Sequence, residues 1–94
     1  MNIQNASNII LSHLKDYNPI RIGLFGSYAR NEETADSDFD IMVKFKETLS
    51  LLQLIKIENE LSEKLGVKVD LVTEGAIQDE RIRNYIEKDL KIIL

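Results

Sequence analysis

The sequence of 94 residues contains no cysteine, which excludes disulfide bonds and zinc–thiolate sites. It also lacks an apolar run long enough to span a bilayer, and its N-terminus lacks the basic segment and apolar core of a signal peptide. Lysine and arginine are scattered along a chain of formal net charge −4. We therefore expect a cytoplasmic protein that makes no membrane contact and does not bind duplex nucleic acid directly.

Two common phosphate-binding signatures, GxxxxGK[ST] and GxGxxG, are missing as well. Histidine occurs only once, and His13 lies on the flank of a predicted helix, which favours a structural role over that of a general base. Repeats, linkers and low-complexity tracts are absent, while hydrophobic residues make up 44% of the chain. This composition predicts a single packed domain over residues 1–94.

Apolar periodicity predicts an alternation of helices and strands. Helices are predicted over residues 2–17, 28–33, 50–65 and 76–90, and strands over residues 20–25, 38–45 and 67–72. The first helix is expected to end before Pro19, because proline disfavours helix in the residue that precedes it. Residues 91–94 fit either a continuation of the last helix or a short edge strand.

The helix predicted over residues 50–65 carries the clearest local signals. Ser50 and Gln53 form a capping box, and Gly66 is positioned for a left-handed C-terminal cap. Its spacing predicts a core stripe of Leu51, Leu54, Ile55, Leu61 and Leu65. Leu52 and Ile57 lie off that stripe and are candidates for a partner-binding face.

Three aspartates are the candidate catalytic residues and metal ligands. Asp38 and Asp40 open a predicted strand and point to the same face, with Cα atoms about 6.7 Å apart. Asp70 lies within another predicted interior strand, where a carboxylate is costly unless it is paired or binds a metal. Grouped carboxylates repel one another, and a divalent cation removes that conflict. Oxygen ligands without Cys or His indicate Mg²⁺, with Mn²⁺ as the alternative, and two such ions can bridge a triphosphate.

A turn between the first two predicted strands supplies candidate nucleotide-binding residues. Gly26 allows close backbone approach, Ser27 donates to a phosphate, and Arg30 reaches the triphosphate from the short helix. Each signal alone is weak, because Gly-Ser usually marks a turn and many Asp-x-Asp pairs are capping residues. The conjunction of a Gly-Ser turn, an Asp-x-Asp strand and a third Asp one helix later favours nucleotidyl transfer.

These residues resemble a known family. Gly26-Ser27 and the segment 37–41 resemble the GS-x10-DxD signature of the polymerase-beta-like nucleotidyltransferase superfamily, and GSYAR…SDFDIMV and VKVDLV are most similar to its minimal nucleotidyltransferase (MNT) branch. The resemblance implies an α/β (α+β) fold, with a small mixed sheet of three to four strands flanked by helices. It also implies that Asp38, Asp40 and Asp70 are the metal triad beside the nucleotide-binding turn.

One residue departs from the family pattern. Asn31 stands where many relatives have glycine after the arginine, but asparagine also tolerates left-handed backbone. The departure therefore affects only the expected path of the loop.

The resemblance further implies a biological role. MNT proteins of this kind are typically antitoxins paired with a helical HEPN ribonuclease toxin, and they transfer AMP from ATP to a toxin tyrosine. The catalytic elements leave no room for an acceptor-binding domain, which favours a protein acceptor and either a homo- or a hetero-oligomer. The alternatives are an antitoxin that neutralises by binding alone, and a nucleotidyltransferase that modifies a small molecule such as an antibiotic.

Overall fold

The computed structural model describes residues 2–94 and contains one mixed sheet flanked by helices. The helices are α1 (Ile3–Leu14), α2 (Gly26–Ala29), α3 (Leu51–Leu65) and α4 (Glu80–Asp89), and the strands are β1 (Pro19–Phe25), β2 (Phe39–Phe45), β3 (Val69–Thr73) and β4 (Lys91–Ile92). The strand order is β3-β2-β1-β4. β1 is antiparallel to β2 and β4, whereas β2 and β3 are parallel, so the predicted mixed α/β fold is confirmed.

Local signals determine where the long helices begin and end. The side chain of Asn2 caps α1, a 3₁₀ turn over Lys15–Tyr17 follows that helix, and Asn18 then takes a left-handed conformation (φ 56°) before Pro19. The predicted capping box of Ser50 and Gln53 begins α3, and Gly66 ends it with φ 74°. None of the helices in residues 2–94 is both long and apolar enough to cross a membrane.

The sheet separates two apolar clusters. α1 and α3 cover one face, where strand alternation turns the side chains of Phe39, Ile41 and Val43 into the larger cluster. α4 covers part of the other face, where a smaller cluster contains Phe25, Met42, Ile77 and Ile86. Asp40 and Lys44 lie on this second face, because they alternate with the first set along β2.

The core stripe of α3 differs from the prediction. Ile57 was predicted to lie off the stripe but is fully buried with Leu61. Leu51 and Ile55, which were predicted to face the core, are 72% and 44% exposed. Leu52 is exposed as predicted.

The position of β3 also differs from the prediction, because β3 is an edge strand and Asp70 on it is exposed. Side chains of α3 cover the open edge of β3. The Val69 N–H donates to Ser62 Oγ (2.9 Å), and the Leu71 N–H donates to Glu58 Oε2 (2.8 Å). These bonds satisfy backbone donors that an open strand edge would otherwise expose.

The last helix is shorter than predicted. α4 begins at Glu80 rather than at residue 76, after the Asp79 side chain caps the Arg81 N–H at 2.8 Å. Ile86 of the predicted apolar side is buried, but Ile82 and Tyr85 are more than half exposed. The last residues form the edge strand β4, which pairs with β1, so the strand alternative for residues 91–94 is the correct one.

Candidate active site

The parallel pairing of β2 with β3 aligns two of the three candidate aspartates. Asp40 is the register partner of Asp70, one position after Phe39 pairs with Val69. The side chains of Phe39 and Val69 are buried in the larger cluster, so the side chains of Asp40 and Asp70 lie on the opposite face. Asp38 precedes β2 by one residue and shares the face of Asp40 by alternation.

The three carboxylates interact electrostatically. Partial burial, and then the charges of Asp70 and Asp38, together raise the pKa of Asp40 to about 6, while the charge of Arg30 opposes the shift. A half-buried carboxylate with two acidic neighbours binds either a proton or a cation more readily than an isolated one. Asp40 is therefore the residue of this site on which the charges of Asp38, Asp70 and Arg30 all act.

The Gly-Ser turn approaches the same carboxylate. Gly26 has φ +75°, and a Cβ at this position would collide with the Asp40 side chain, lying 3.0 Å from its Cγ. Only glycine fits this combination of conformation and contact. The next turn residue, Ser27, is half-exposed, and its side chain is free to bind a ligand because it makes no hydrogen bond within residues 2–94.

An aromatic contact holds the turn against β2. Tyr28 is buried, and its ring lies 4.9 Å from the ring of Phe39 at an interplanar angle of 42°. This contact fixes α2 beside the strand that carries Asp40, because Phe39 is the residue between Asp38 and Asp40. The short helix begins at Gly26 and ends at Ala29, rather than spanning the predicted residues 28–33. Asn31 has φ 59°, the left-handed conformation that asparagine tolerates.

Arg30 caps the C-terminus of α2 and is tied to α4. Its guanidinium donates to Asp89 Oδ2 at 3.0 Å and to Glu32 Oε2 at 3.2 Å. Asp89, then Glu32 and Tyr85, raise the pKa of Arg30 above its usual range. The charge of Arg30 also acts on Asp40. The structure thus brings Arg30 near the carboxylates and orients its guanidinium toward Asp89.

Sequence reasoning did not identify Asp89 and Tyr85 as neighbours of this site. Both belong to α4, which packs across the sheet close to α2. Their contacts with Arg30 join distant parts of the chain, and no local pattern marks an acidic residue on a helix as the partner of a particular arginine. His13 of α1, by contrast, contacts α3, where its Nδ1 is 2.9 Å from Lys64 Nζ, and this contact agrees with the structural role expected for it.

The donor set fits a hard divalent cation. No three acidic, histidine or cysteine side chains in residues 2–94 already converge at metal-ligand geometry. The carboxylates nevertheless lie close enough for Asp38 and Asp70 to raise the pKa of Asp40. Oxygen donors, partial burial and mutual repulsion are the properties that favour Mg²⁺ or a similar ion. Asp38, Asp40 and Asp70 are therefore the residues that would hold it.

Comparison with known proteins identifies the family. The sequence profile described as "Nucleotidyltransferase domain" matches residues 6–93. The chain therefore belongs to the nucleotidyltransferase domain family, as the sequence motifs predict, and its substrate class is nucleotides.

Within this family the chain is similar to protein adenylyltransferases. A "Putative protein adenylyltransferase" of Methanocaldococcus jannaschii is 42% identical over 92 residues, which are 94% of this chain and 94% of the relative. "Protein adenylyltransferase MntA" of Thermococcus cleftensis is 38% identical over 82 residues, which are 83% of each chain.

Solved structures have the same fold. A crystal structure of a toxin–antitoxin pair with AMP-PNP contains a chain with a TM-score of 0.84 and 27% identity, covering 94% of this chain and 72% of that one. A second structure is the tri-AMPylated HEPN toxin of Shewanella oneidensis in complex with its MNT antitoxin. It has a TM-score of 0.78 and 26% identity, covering 97% of this chain and 71% of that one.

Proposed function

We propose that this protein is a cytoplasmic antitoxin that transfers AMP from ATP to a tyrosine of a partner HEPN ribonuclease toxin, with Mg²⁺ as the metal. The observation that carries the proposal is the register pairing of Asp40 with Asp70, next to a turn whose glycine contacts the Asp40 carboxylate. Similarity to protein adenylyltransferases and to the MNT antitoxin of an AMPylated HEPN toxin supports AMP as the transferred group and a HEPN toxin as its acceptor.

The nucleotide would bind between the turn and the carboxylates. The Gly26 backbone, which has no side chain to block it, lets the triphosphate approach β2, and the Ser27 hydroxyl donates to a β- or γ-phosphate oxygen. Arg30, which directly follows α2, adds positive charge near Gly26 and Ser27. Asp38 and Asp40 would hold two divalent ions, with Asp70 completing the site of the attacking oxygen. When bound, such ions neutralise the triphosphate and favour both the attacking and the leaving oxygen.

The reaction is a displacement at the α-phosphorus of ATP. The tyrosine oxygen of the toxin forms a bond to that phosphorus, the bond to the β-phosphate oxygen breaks, and pyrophosphate leaves. Asp70 lies on the exposed edge strand, where an incoming protein side chain has access to it. This position suits Asp70 to accept the proton of the tyrosine hydroxyl, because proton transfer requires direct contact with the acceptor group.

Labelling of the toxin tests the proposal. The protein is incubated with Mg²⁺, ATP labelled on the α-phosphate and the helical protein encoded beside it. We expect wild type to label the partner, and Asp38→Asn and Asp40→Asn to lose at least about a hundredfold in rate, as expected for loss of groups that act in the transition state. Asp36→Asn is the matched control, because Asp36 is exposed in the turn that precedes β2. Equal labelling by all four proteins would contradict a catalytic role.

A second candidate function is neutralisation by binding alone. Leu51, Leu52 and Ile55 form an exposed apolar patch on α3, which suits a protein partner. Ile57, predicted to belong to such a face, is buried and therefore not part of it. If binding alone neutralises the toxin, Asp40→Asn should still rescue cells from the toxin, whereas Leu52→Glu should not. Loss of rescue in Asp40→Asn with the complex intact would favour catalysis.

A further inference from the structure

A second charged site lies on the same face of the sheet as the aspartates, at the opposite end of β2. It is a cleft of about 840 Å³ whose lining includes Arg21, Lys44, Arg83 and Glu74. Arg21 pairs with Lys44 in the register of β1 and β2. Four strand positions separate Lys44 from Asp40, which corresponds to about 13 Å. The cleft contains none of the proposed catalytic residues.

The charges of this cleft are poorly balanced within the described part of the chain. Three cationic side chains and one carboxylate side chain line the cleft, although the protein as a whole has a net charge of −4. Like charges that are direct cross-strand partners, as Arg21 and Lys44 are, destabilise a sheet. Glu74 offsets this only in part, since its Oε1 is 3.7 Å from Arg21 Nη1.

Several donors of these cations are unused. Arg21 Nε is buried and has no hydrogen-bond partner among residues 2–94. Lys44 is exposed and forms no ion pair within the same range. Arg83 donates one bond to the Ile77 carbonyl at 2.7 Å, which leaves most of its five donors for another group. A guanidinium fork with free donors matches a carboxylate or a phosphate.

We propose that this cleft binds an acidic, partly apolar segment of another protein. Exposed apolar side chains line the same cleft, with Ile20 53% and Ile92 50% exposed. This mixture suits alternating acidic and apolar side chains of a peptide. Single-stranded nucleic acid, by comparison, is held by aromatic side chains on which bases stack, and the lining residues include no aromatic one.

The inference extends the proposed function, on which its biological meaning rests. If the acceptor is a protein, the cleft gives that protein a point of attachment separate from its reacting tyrosine, about 13 Å from Asp40. Binding at two separated points would orient the acceptor without using any catalytic group.

The test uses a short fluorescein-labelled peptide in which Glu and Leu alternate, titrated with the full chain at low salt and followed by fluorescence anisotropy. We expect wild type to bind this peptide, and the double variant Lys44→Glu/Arg83→Glu to bind it at least about tenfold more weakly, the change that about 1.4 kcal/mol produces. Lys56→Glu is the matched control, because Lys56 is exposed on α3 and outside the cleft. We expect its affinity to stay within about twofold of wild type.

Further probes and variants separate the outcomes. Lys44→Glu alone places a carboxylate opposite Arg21, so its melting temperature should not fall, and loss of binding then does not reflect unfolding. A peptide of alternating Lys and Leu should not bind. Equal affinity of the double variant for the acidic peptide, or tighter binding of a single-stranded RNA of equal length to wild type, would overturn the proposal.

The catalytic proposal is tested separately in the same assay. Asp40→Asn should bind the acidic peptide as wild type does, because Asp40 is outside the cleft. With the acceptor protein, the double variant should raise the KM for acceptor while kcat is kept, whereas Asp40→Asn should lose kcat. Peptide binding without any AMP transfer would refute the proposed function and leave the cleft assignment intact.

Discussion

Asp40 and Asp70 face each other across the parallel strands β2 and β3, although the whole of α3 separates them in the chain. The crossover through α3 places the two strands side by side, and the register then aligns the two carboxylates. Because Gly26, the first residue of α2 directly after β1, lies against the Asp40 side chain, two strands and the turn after a third contribute to one site. The site therefore depends on sheet register as much as on the identity of its residues.

The first prediction concerns stability without metal. Because the pKa of Asp40 is raised to about 6, the folded chain binds this proton more tightly than the unfolded chain, whose Asp pKa is about 3.9. The resulting stabilisation is complete below about pH 4 and is lost as the pH rises through about 6. With a chelator present, the free energy of unfolding of Asp40→Asn, relative to that of wild type, should therefore rise by about 1 kcal/mol between pH 4 and pH 7. This value is reduced for the partial exposure of Asp40.

Urea unfolding at the two pH values measures this difference. Asp36→Asn, which removes an exposed carboxylate from the preceding turn, is the control for the effect of net charge. If the free energy of unfolding changes with pH in the same way for wild type and Asp40→Asn, Asp40 does not have a raised pKa in the folded protein.

A second prediction links metal binding to the same proton. A cation requires the ionised carboxylates, so Mg²⁺ with ATP should raise the melting temperature at pH 7 and have a smaller effect below about pH 6. Differential scanning fluorimetry with wild type and Asp40→Asn measures the shift. We expect Asp40→Asn to lose most of it, and a wild-type shift that is independent of pH would contradict the assignment.

Two glycines allow a matched test of the turn. Gly26 and Gly66 have nearly the same positive φ, 75° and 74°, but only a side chain at Gly26 would meet Asp40, while Gly66 has open space around it. Gly66→Ala should cost about 1 kcal/mol of stability from backbone strain, and Gly26→Ala should cost more, because its Cβ would also collide with the Asp40 side chain. Only Gly26→Ala should also lose the thermal shift with Mg²⁺ and ATP. Loss of the thermal shift in both variants would mean that the shift depends on the overall stability of the protein and not on ligand binding at the candidate site.

The ion pair between Arg30 and Asp89 predicts an effect on nucleotide binding. Asp89 is only 17% exposed and receives a 3.0 Å hydrogen bond from the guanidinium, so Asp89→Asn should release Arg30 from its fixed orientation. We expect the KM for ATP to rise severalfold with little change in kcat. Glu32→Gln removes the more exposed partner and should have a smaller effect. A lower KM in Asp89→Asn would instead indicate that the ion pair competes with the triphosphate.

The core stripe of α3 is open to a direct test. Ile57 is fully buried and Leu52 is 78% exposed, so Ile57→Ala should lower the free energy of unfolding by about 2–4 kcal/mol. Leu52→Ala should change it by less than about 0.5 kcal/mol. Urea unfolding of the two variants measures both values, and similar losses would mean that the first turn of α3 packs against the core in solution.

Local chemistry determined much of this protein before any tertiary contact formed. The cap at Ser50, the left-handed residue Gly66, and the break after Phe25 depend on neighbours within a few residues, and these features appear where the sequence predicts them. Strand alternation likewise separated Asp40 from the buried Phe39. The family signature depends on the same local spacing, which is why the sequence was sufficient to indicate it.

Tertiary packing decided what the local patterns left open. The apolar residues of α3 fit two overlapping stripes, and only contact with the sheet buries Ile57 and leaves Leu51 exposed. Pairing with β1 makes Lys91 and Ile92 a strand, and the packing of α4 brings Asp89 to Arg30. These outcomes depend on which surfaces meet, and an amphipathic pattern specifies an apolar side without specifying its partner. The sequence therefore determined the residues of the candidate site, and the fold determined which side chains surround them.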